Sequence, residues 1–424
     1  MAVRSPSLES AQWINHVPLC KKDLEGGLVL LDFFTYCCVN CLNILPDLKA
    51  LEKEFKKELL VIGIHSAKHS HEKETSNIKE ALKKYKIDHI VINDGDLNLW
   101  EAFGIKAWPS LVLLDSKGYI ISSYQGEGHL QALREDIKQE IQKTKPSSKS
   151  FKPDTQEIKG LLKFPQKILA SQDYLFISHL DEVLVCTYEG LVLHKISNLK
   201  EPQGMAYVNG SLFIALREGN CIIEISENFL KKTIFLENLR NPYDLDSDGI
   251  TLFVALAGAH QIKAYDLTTK QEILAIGQEN SESLHDGPFS EAVLAQPTGL
   301  SLLEDELYFV DSEISSLRCA SFNEVNSLIY NNDELQHPLD LTAGQYGDGC
   351  GGGRVFITDS YNNKLKVYNP QTKEVVTILD DLNEPSGVDK KACELYICNT
   401  NKHEIIIFDL SQMQKRTLEL REYL

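Results

Sequence analysis

The sequence predicts a multidomain α/β plus all-β fold, in which a mixed α/β domain precedes a six-bladed β-propeller. Strand and helix patterns alternate through the first third of the chain, which is typical of a sheet covered by helices. A polar stretch rich in Pro and Ser follows, and beyond it a unit of roughly 40 residues recurs six times. These observations divide the chain into an N-terminal segment (1–24), the α/β domain (25–143), a linker (144–157) and a six-repeat propeller (158–424).

The α/β domain begins with a continuous hydrophobic strand, Leu28–Phe34. A hairpin is indicated by the turn residues Ser116–Gly118 between two β-patterned runs. In chain order, the other predicted elements are a helix over Asn40–Lys57, a strand over Leu59–Ile64, an amphipathic helix over Glu72–Tyr85, a short strand over Ile90–Ile92, a short helix over Leu97–Phe103, strands over Ser110–Leu114 and Tyr119–Tyr124, and a helix over Leu130–Lys143. This order predicts a mixed central sheet with helices on both faces.

The repeats of the propeller domain share an entry proline and a strand of aromatic and β-branched residues. The entries are Phe164-Pro165, Glu201-Pro202, Asn241-Pro242, Gln296-Pro297, His337-Pro338 and Glu384-Pro385. The strand cores are Leu175–Ile177, Leu212–Ile214, Leu252–Val254, Leu307–Phe309, Val355–Ile357 and Leu395–Ile397. Six such units predict a propeller, because each blade buries its faces against its neighbours. Two longer stretches, Gly277–Glu291 and Gln345–Arg354, are interpreted as loop insertions.

A C-x-x-C motif, Cys38–Cys41, directly follows the first strand and directly precedes the first long helix. This position places the first thiol at a helix N-terminus, where unsatisfied N–H groups and the helix dipole favour a thiolate. The second thiol lies one turn further on, within reach of a disulfide with the first. The motif therefore predicts dithiol–disulfide exchange.

Composition and charge exclude several classes of function. The net charge of −18 repels phosphate backbones, so no nucleic-acid partner is expected. No segment reaches the roughly 18 apolar residues that span a bilayer, and the first twenty residues contain no secretory apolar region. Ten cysteines without an evident framework indicate a reducing compartment. We therefore expect a cytosolic protein, monomeric and without a membrane partner.

Four landmarks of the first domain resemble the thioredoxin fold. Asp32 falls where thioredoxins keep a buried carboxylate, Cys38 falls on the first active-site cysteine, and Pro46 falls on the helix-kinking proline. Phe103–Ile105 followed by Trp108–Leu111 falls on the cis-proline segment beside the active-site cysteines. Residues 25–143 are therefore identified as a thioredoxin-like domain.

The later repeats resemble NHL repeats, most clearly over Asp359–Val367. Together with Phe33–Cys41, residues 25–424 resemble the family of NHL repeat-containing proteins with a thioredoxin-like domain. Members of that family usually carry a further β-rich C-terminal region, which these 424 residues do not include. Val39-Asn40 stands where thioredoxins have Gly-Pro, so the redox direction is not assigned.

The resemblance implies a role for each residue of the site. Cys38 would be the nucleophile, Cys41 the resolving thiol and Asp32 the buried proton acceptor for Cys41. Pro109, as a cis residue, and Trp108 would shape the contact surface for an extended peptide substrate.

Cys37 also departs from ordinary thioredoxins, because it replaces the Trp that precedes the first cysteine. It lies on the substrate side of the motif and is consistent with either an alternative disulfide or a small filler residue.

Two functions are consistent with this sequence. The first is cytosolic thiol–disulfide exchange, with the propeller binding protein partners, including disulfide-containing substrates. The alternative is a non-catalytic interaction scaffold whose C-x-x-C is vestigial or structural. An enzymatic propeller would need a polar, metal-ready channel, of which the repeats give no sign.

No cofactor or metal is expected. A zinc site from Cys37, Cys38, Cys41 and His65 is disfavoured, because adjacent cysteines do not converge easily on one tetrahedral centre. The histidines His65, His69 and His71 are interpreted as a solvated loop. Asp244–Gly249 imitates a calcium loop but is interpreted as a blade turn, and Gly349–Gly353 as a flexible loop between strands.

Overall fold

Two units, each with its own core, make up the chain. The computed structural model describes residues 3–9, 11–149, 151–154, 158–330, 334–345 and 350–422. Unit 1 spans Met1–Glu157 and unit 2 spans Ile158–Leu424. Within the described residues, no helix combines the length and apolar character needed to cross a membrane.

Unit 1 contains a six-stranded mixed sheet. Its strands are β1 (Gln12–Trp13), β2 (Leu28–Phe34), β3 (Leu59–His65), β4 (Ile90–Asn93), β5 (Ser110–Leu114) and β6 (Ile120–Gln125), in the spatial order β1-β4-β3-β2-β5-β6. Strands β2, β3 and β4 are parallel, and the others pair antiparallel. All seven residues of β2 are buried, since an almost uninterrupted apolar run suits a central strand buried on both faces.

The helices of unit 1 are α1 (Lys21–Leu24), α2 (Val39–Asn43), α3 (Leu45–Glu54), a 3-10 helix (Ser70–Lys73), α4 (Thr75–Lys84), α5 (Asn98–Ala102) and α6 (Leu130–Thr144). The single helix predicted over Asn40–Lys57 is divided at Ile44, because Pro46 has no N–H to continue the helical ladder. The helix predicted from Glu72 begins instead as the 3-10 helix and continues as α4.

Segments on either side of the predicted α/β domain pack onto unit 1. Strand β1 pairs with β4, and Leu8 and Leu19 belong to the same apolar core as β2. In the predicted linker, the backbone N–H of Ser147 donates to Gly26 at 2.7 Å, and that of Ser148 donates to Lys57 at 2.7 Å. These contacts attach both flanking segments to the sheet unit.

Unit 2 is a six-bladed propeller in which each blade is built on four antiparallel strands. Blade 1 has β7 (Pro165–Ala170), β8 (Leu175–His179), β9 (Glu182–Cys186) and β10 (Leu191–Ile196). Blade 2 has β11 (Pro202–Val208), β12 (Ser211–Leu216), β13 (Cys221–Ile225) and β14 (Lys232–Leu236). Blade 3 has β15 (Pro242–Ser247), β16 (Thr251–Leu256), β17 (Gln261–Asp266) and β18 (Glu272–Ile276).

The other three blades repeat this plan. Blade 4 has β19 (Gly287–Pro288), β20 (Pro297–Leu303), β21 (Glu306–Asp311), β22 (Ser316–Ser321) and β23 (Glu324–Ile329). Blade 5 has β24 (Asp340–Ala343), β25 (Val355–Asp359), β26 (Lys364–Asn369) and β27 (Glu374–Leu379). Blade 6 has β28 (Pro385–Lys391), β29 (Glu394–Asn399), β30 (Glu404–Asp409) and β31 (Gln414–Thr417), and β32 (Arg421–Glu422) pairs back onto β10 of blade 1. The predicted six-bladed architecture is confirmed.

Apolar clusters lie between neighbouring blades and hold the ring together. Between blades 5 and 6, for example, Phe356 and Leu365 pack with Val388 and Ile397. The ring is closed by a cluster in which residues of blade 1 meet Tyr396, Ile407 and Leu418. Because every blade buries its faces against two neighbours, the propeller core is continuous around the ring.

One covalent link was not expected from the sequence. Cys350 and Cys393 form a disulfide with an S–S distance of 2.05 Å and a Cα–Cα distance of 5.0 Å. The link corrects the assumption that the cysteines lack any pairing. It also corrects the interpretation of Gly349–Gly353 as a simple flexible loop, within the part from Cys350 onward that the structure describes.

Candidate functional site

The C-x-x-C lies where the central strand of unit 1 ends and α2 begins. Cys38 is the N-cap residue of α2, and its carbonyl accepts the N–H of Leu42 at 3.1 Å. Its own N–H donates to the carbonyl of Thr35 at 3.3 Å, which closes the turn after β2. The strand-to-helix position predicted for the motif is therefore the observed one, and the N-terminal N–H groups of α2 favour negative charge beside Cys38.

The two thiols of the motif differ in their environments. Cys38 exposes 5% of its surface and Cys41 exposes 1%. Burial raises the pKa of Cys41 well above its usual value, and a hydrogen bond to Cys38 and the charge of Cys38 raise it further. Cys41 therefore keeps its proton when Cys38 is a thiolate. A thiol that stays protonated in this way fits the role of a resolving cysteine.

Asp32 is a buried carboxyl group in the middle of β2. It has no exposed surface, and neither carboxyl oxygen has a hydrogen-bond partner among the residues that the structure describes. Burial raises its pKa to about 7. Its charge also raises the pKa of Cys41, so the two groups interact electrostatically. A carboxyl group that titrates near neutrality can exchange a proton with the resolving thiol.

The segment Trp108–Ser110 runs beside the strand that carries Asp32. The Trp108–Pro109 peptide bond is cis, and Ser110 pairs with Phe33 of β2. The Trp108 indole N–H donates to the carbonyl of Ser66 at 2.9 Å. Its ring packs on Trp100, with ring centroids 4.1 Å apart, and the Lys68 ammonium lies 5.1 Å from its centroid. These contacts fix the orientation of the Trp108 ring.

Glu72, a carboxylate without exposed surface beside the motif, was not expected from the sequence. Its Oε1 accepts the Thr35 hydroxyl at 2.6 Å and the Cys37 N–H at 3.3 Å. Its Oε2 accepts the backbone N–H groups of Lys68 at 2.9 Å and His69 at 3.0 Å. Burial alone would raise the pKa of Glu72, but His65, the Thr35 hydroxyl and His69 lower it to about 2. Glu72 is thus a buried anion that holds the loop leading into Cys38.

His65 corrects the prediction that the three histidines lie in a solvated loop. It has no exposed surface, and burial lowers its pKa to about 4, so its imidazole is neutral at pH 7. Its ring stacks on Tyr36 with centroids 5.2 Å apart and meets the edge of Phe34 at 5.3 Å. The signal available in the sequence was its place at the end of β3, beside the end of β2.

Cys37 is buried, and its sulfur lies 3.7 Å from the Thr35 hydroxyl. Across the described ranges, no three His, Cys, Asp or Glu side chains are grouped so that they could hold a metal ion.

The propeller channel also contains buried charge, contrary to the expectation that the repeats give no sign of a polar channel. The Lys167 ammonium lies 3.0 Å from Asp244 and 2.5 Å from Asp340, and it donates to the carbonyl of Thr298 at 2.8 Å. A cavity of about 160 Å³ is lined by Lys167 and by the four aspartates Asp244, Asp246, Asp340 and Asp389, among other residues. Burial raises the pKa of Asp246 to about 7 and that of Asp389 to about 6.

The aspartates of the channel have hydrogen-bond partners in neighbouring blades. Asp244 accepts the N–H of Leu300, and Asp340 accepts that of Val388, both at 2.9 Å. Asp244 and Asp246 lie in the inner strand β15, which corrects their assignment to a blade turn, whereas Asp248 and Gly249 do lie in the turn between β15 and β16. The sequence signal was an aspartate two residues after the entry prolines Pro242 and Pro338.

Comparisons with known proteins place both units in context. Residues 26–120 match the family model described as thioredoxin-like. The chain is 30% identical to NHL repeat-containing protein 2 of Homo sapiens, over 95% of this chain and 69% of that protein. It is also 30% identical to Protein SUPPRESSOR OF QUENCHING 1, chloroplastic, of Arabidopsis thaliana, over 96% of this chain and 47% of that protein. A shorter match, 27% identical over 105 residues, covers 25% of this chain and 57% of the thiol-disulfide oxidoreductase ResA of Halalkalibacterium halodurans.

Proposed function

This chain belongs to the family of NHL repeat-containing protein 2, and we propose that it is a thiol–disulfide exchange protein whose propeller binds its protein partners. The observation that carries the proposal is the unequal pair of thiols at the start of α2. Cys38 lies at the helix N-terminus, whereas Cys41 retains its proton beside the buried carboxyl group of Asp32.

The exchange reaction uses only these groups and a partner disulfide. The Cys38 thiolate attacks one sulfur of the partner, the partner's S–S bond breaks, and the second partner sulfur leaves as a thiolate. Cys41 gives its proton to Asp32 and attacks the Cys38 sulfur of the mixed disulfide. The partner leaves with two thiols, and Cys38 and Cys41 are oxidised to a disulfide, so two electrons pass to the partner. The reverse sequence oxidises a partner dithiol.

Several observations support this function beyond the motif. Trp108 and Pro109, in the segment beside the strand of Asp32, and Cys37, next to Cys38 in the chain, are proposed to contact the substrate. Eight of the ten cysteines are outside the disulfide, which suits a reducing compartment such as the cytosol. A relative over a quarter of the chain is named a thiol-disulfide oxidoreductase.

Mixed-disulfide trapping tests the proposal. A full-length Cys37→Ser/Cys41→Ser variant keeps Cys38 but lacks the resolving thiol, so mixed disulfides should accumulate on Cys38. The control carries Cys38→Ser in addition. We expect partners that reductant releases from the first variant and that are at least tenfold depleted from the control. Equal recovery from both variants, unaffected by reductant, would contradict exchange.

A second function is favoured by one observation, the small exposed fraction of Cys38. A thiol that exposes 5% of its surface suits a scaffold whose C-x-x-C is structural. The rate of alkylation separates the two functions. An exchange cysteine should react with iodoacetamide well below about pH 8.5, whereas a buried structural thiol should stay unmodified until the unit unfolds.

A further inference from the structure

The disulfide between Cys350 and Cys393 joins two neighbouring blades at the turns of their inner strands. Cys393 belongs to the tight turn between β28 and β29 of blade 6. Cys350 belongs to the long connection between β24 and β25 of blade 5. The link therefore ties an extended loop of one blade to a short hairpin of the next.

The loop that carries Cys350 in blade 5 contains glycines whose backbone conformation other residues rarely adopt. Gly351 and Gly353 adopt left-handed φ values of 76° and 69°. The Gly353 N–H donates to the carbonyl of Gly344 at 2.6 Å, and the Gly344 N–H donates to that of Arg354 at 2.9 Å. Glycine-rich backbone has many conformations to regain when it is released, so the covalent bond restricts this loop strongly.

The seam between blades 5 and 6 does not depend on the disulfide. Phe356, Leu365, Val388, Leu395 and Ile397 form a buried apolar cluster across it. Small secreted domains use disulfides to replace a missing core, but this propeller has a large core of its own. Opening the bond is therefore expected to release the loop locally and to leave the blades folded.

Neither cysteine is fully buried, and both lie in connections between strands at the edge of the blades. We propose that Cys350–Cys393 is a reversible redox modification site, opened by monothiols of the glutathione class. One glutathione thiolate attacks a sulfur of the pair, breaks the S–S bond and forms a mixed disulfide while the other cysteine leaves as a thiolate. A second glutathione resolves the mixed disulfide, which yields two protein thiols and one glutathione disulfide. This site is separate from the C-x-x-C and does not depend on its activity.

The first test is a redox titration of the full chain in buffers of reduced and oxidised glutathione. After quenching with N-ethylmaleimide, peptide mass spectrometry should show Cys350 and Cys393 becoming alkylated together, with one shared midpoint. Cys221, a partly exposed cysteine in blade 2, should be alkylated equally at every ratio. Alkylation of Cys350 and Cys393 at every ratio, with no linked peptide, would overturn the proposal.

Trypsin gives a second readout, because exposed Arg354 lies between the two cysteines in sequence. We expect cleavage after Arg354 to be roughly tenfold faster in the reduced chain, since the released loop opens more often. Cys350→Ser and Cys393→Ser should be cleaved at that fast rate with or without reductant, whereas Cys221→Ser should behave as the wild type. Equal cleavage of the oxidised and reduced wild-type chains would overturn the role of the bond, even where a serine variant fails to fold.

Discussion

Asp32 and Glu72 show how strongly hydrogen-bond partners and neighbouring charges determine the pKa of a buried carboxyl group. Both side chains lack exposed surface, yet the pKa of Asp32 is raised to about 7 and that of Glu72 is lowered to about 2. Glu72 accepts a hydroxyl and three backbone N–H groups. Asp32 accepts no hydrogen bond within the described part of the chain. Burial therefore dominates at Asp32, and hydrogen bonding and neighbouring charge dominate at Glu72.

Replacing Asp32 by Asn should change how the stability of unit 1 depends on pH. Because the pKa of Asp32 is about 7 when folded and about 3.9 when unfolded, its stabilising contribution is complete below pH 4 and is lost as pH rises through 7. Between pH 5 and 8 the free energy of unfolding of the wild type should fall by about 2.5 kcal/mol relative to that of Asp32→Asn. All three tryptophans lie in unit 1, so urea unfolding followed by tryptophan fluorescence measures this difference.

Asp96→Asn is the matched control for this measurement, because the Asp96 side chain is 80% exposed. The free energy of unfolding of Asp96→Asn should stay within about 0.5 kcal/mol of the wild-type value from pH 5 to 8. A pH-independent difference for Asp32→Asn would show that Asp32 is ionised throughout this range.

At the scale of elements, Glu72 joins two loops at the end of the central sheet. Thr35 and Cys37 belong to the loop between β2 and α2, and Lys68 and His69 belong to the loop after β3. One carboxylate therefore accepts hydrogen bonds from both loops. Glu72 itself belongs to the 3-10 helix Ser70–Lys73, which follows the second loop. This shared acceptor holds in place the backbone of the loop that leads into Cys38.

Glu72→Gln should destabilise unit 1 by about 2–4 kcal/mol at pH 7, since an amide can accept from one loop only and turns its NH₂ toward the donors of the other. Urea unfolding followed by tryptophan fluorescence measures the loss. The effect should shrink as pH falls below about 4, because the folded pKa of Glu72 is about 2 and its stabilising contribution is lost with protonation. Glu74→Gln, at an exposed position, should change the stability by less than about 0.5 kcal/mol. Similar losses for both variants would refute the shared-acceptor role.

The elements predicted from the sequence are those with strong periodicity. Strand Ser110–Leu114 has the predicted bounds, and the entry prolines of five blades begin their inner strands. Local pattern cannot reveal partners that are distant in sequence, such as Glu72 for Thr35 or Cys393 for Cys350. The break near Ile44 in the helix predicted over Asn40–Lys57 agrees with Pro46, which the resemblance to thioredoxins identifies as a helix-kinking proline.

At the scale of the whole propeller, Lys167 connects blades that are not neighbours. Its ammonium donates from blade 1 to Asp244 of blade 3, Thr298 of blade 4 and Asp340 of blade 5. Burial alone would lower the pKa of Lys167, but the carboxylates of Asp244 and Asp340 raise it, so the side chain is charged. One buried cation thus compensates two carboxylates at the centre of the ring.

Lys167→Met should destabilise the propeller by about 3–5 kcal/mol at pH 7, because it leaves two buried carboxyl groups without their counter-charge. Urea unfolding followed by far-UV circular dichroism reports on the β-rich propeller, while the tryptophan fluorescence transition of unit 1 should stay unchanged. The loss should shrink as the pH falls, since burial raises the pKa of Asp340 and a neutral acid tolerates the missing cation better. Lys263→Met, which removes a partly exposed ion pair with Glu272 in blade 3, should change the stability by less than about 1 kcal/mol. If Lys167→Met and Lys263→Met lowered the free energy of unfolding by the same small amount, Lys167 would not stabilise the propeller. The inter-blade apolar clusters alone would then hold the ring together.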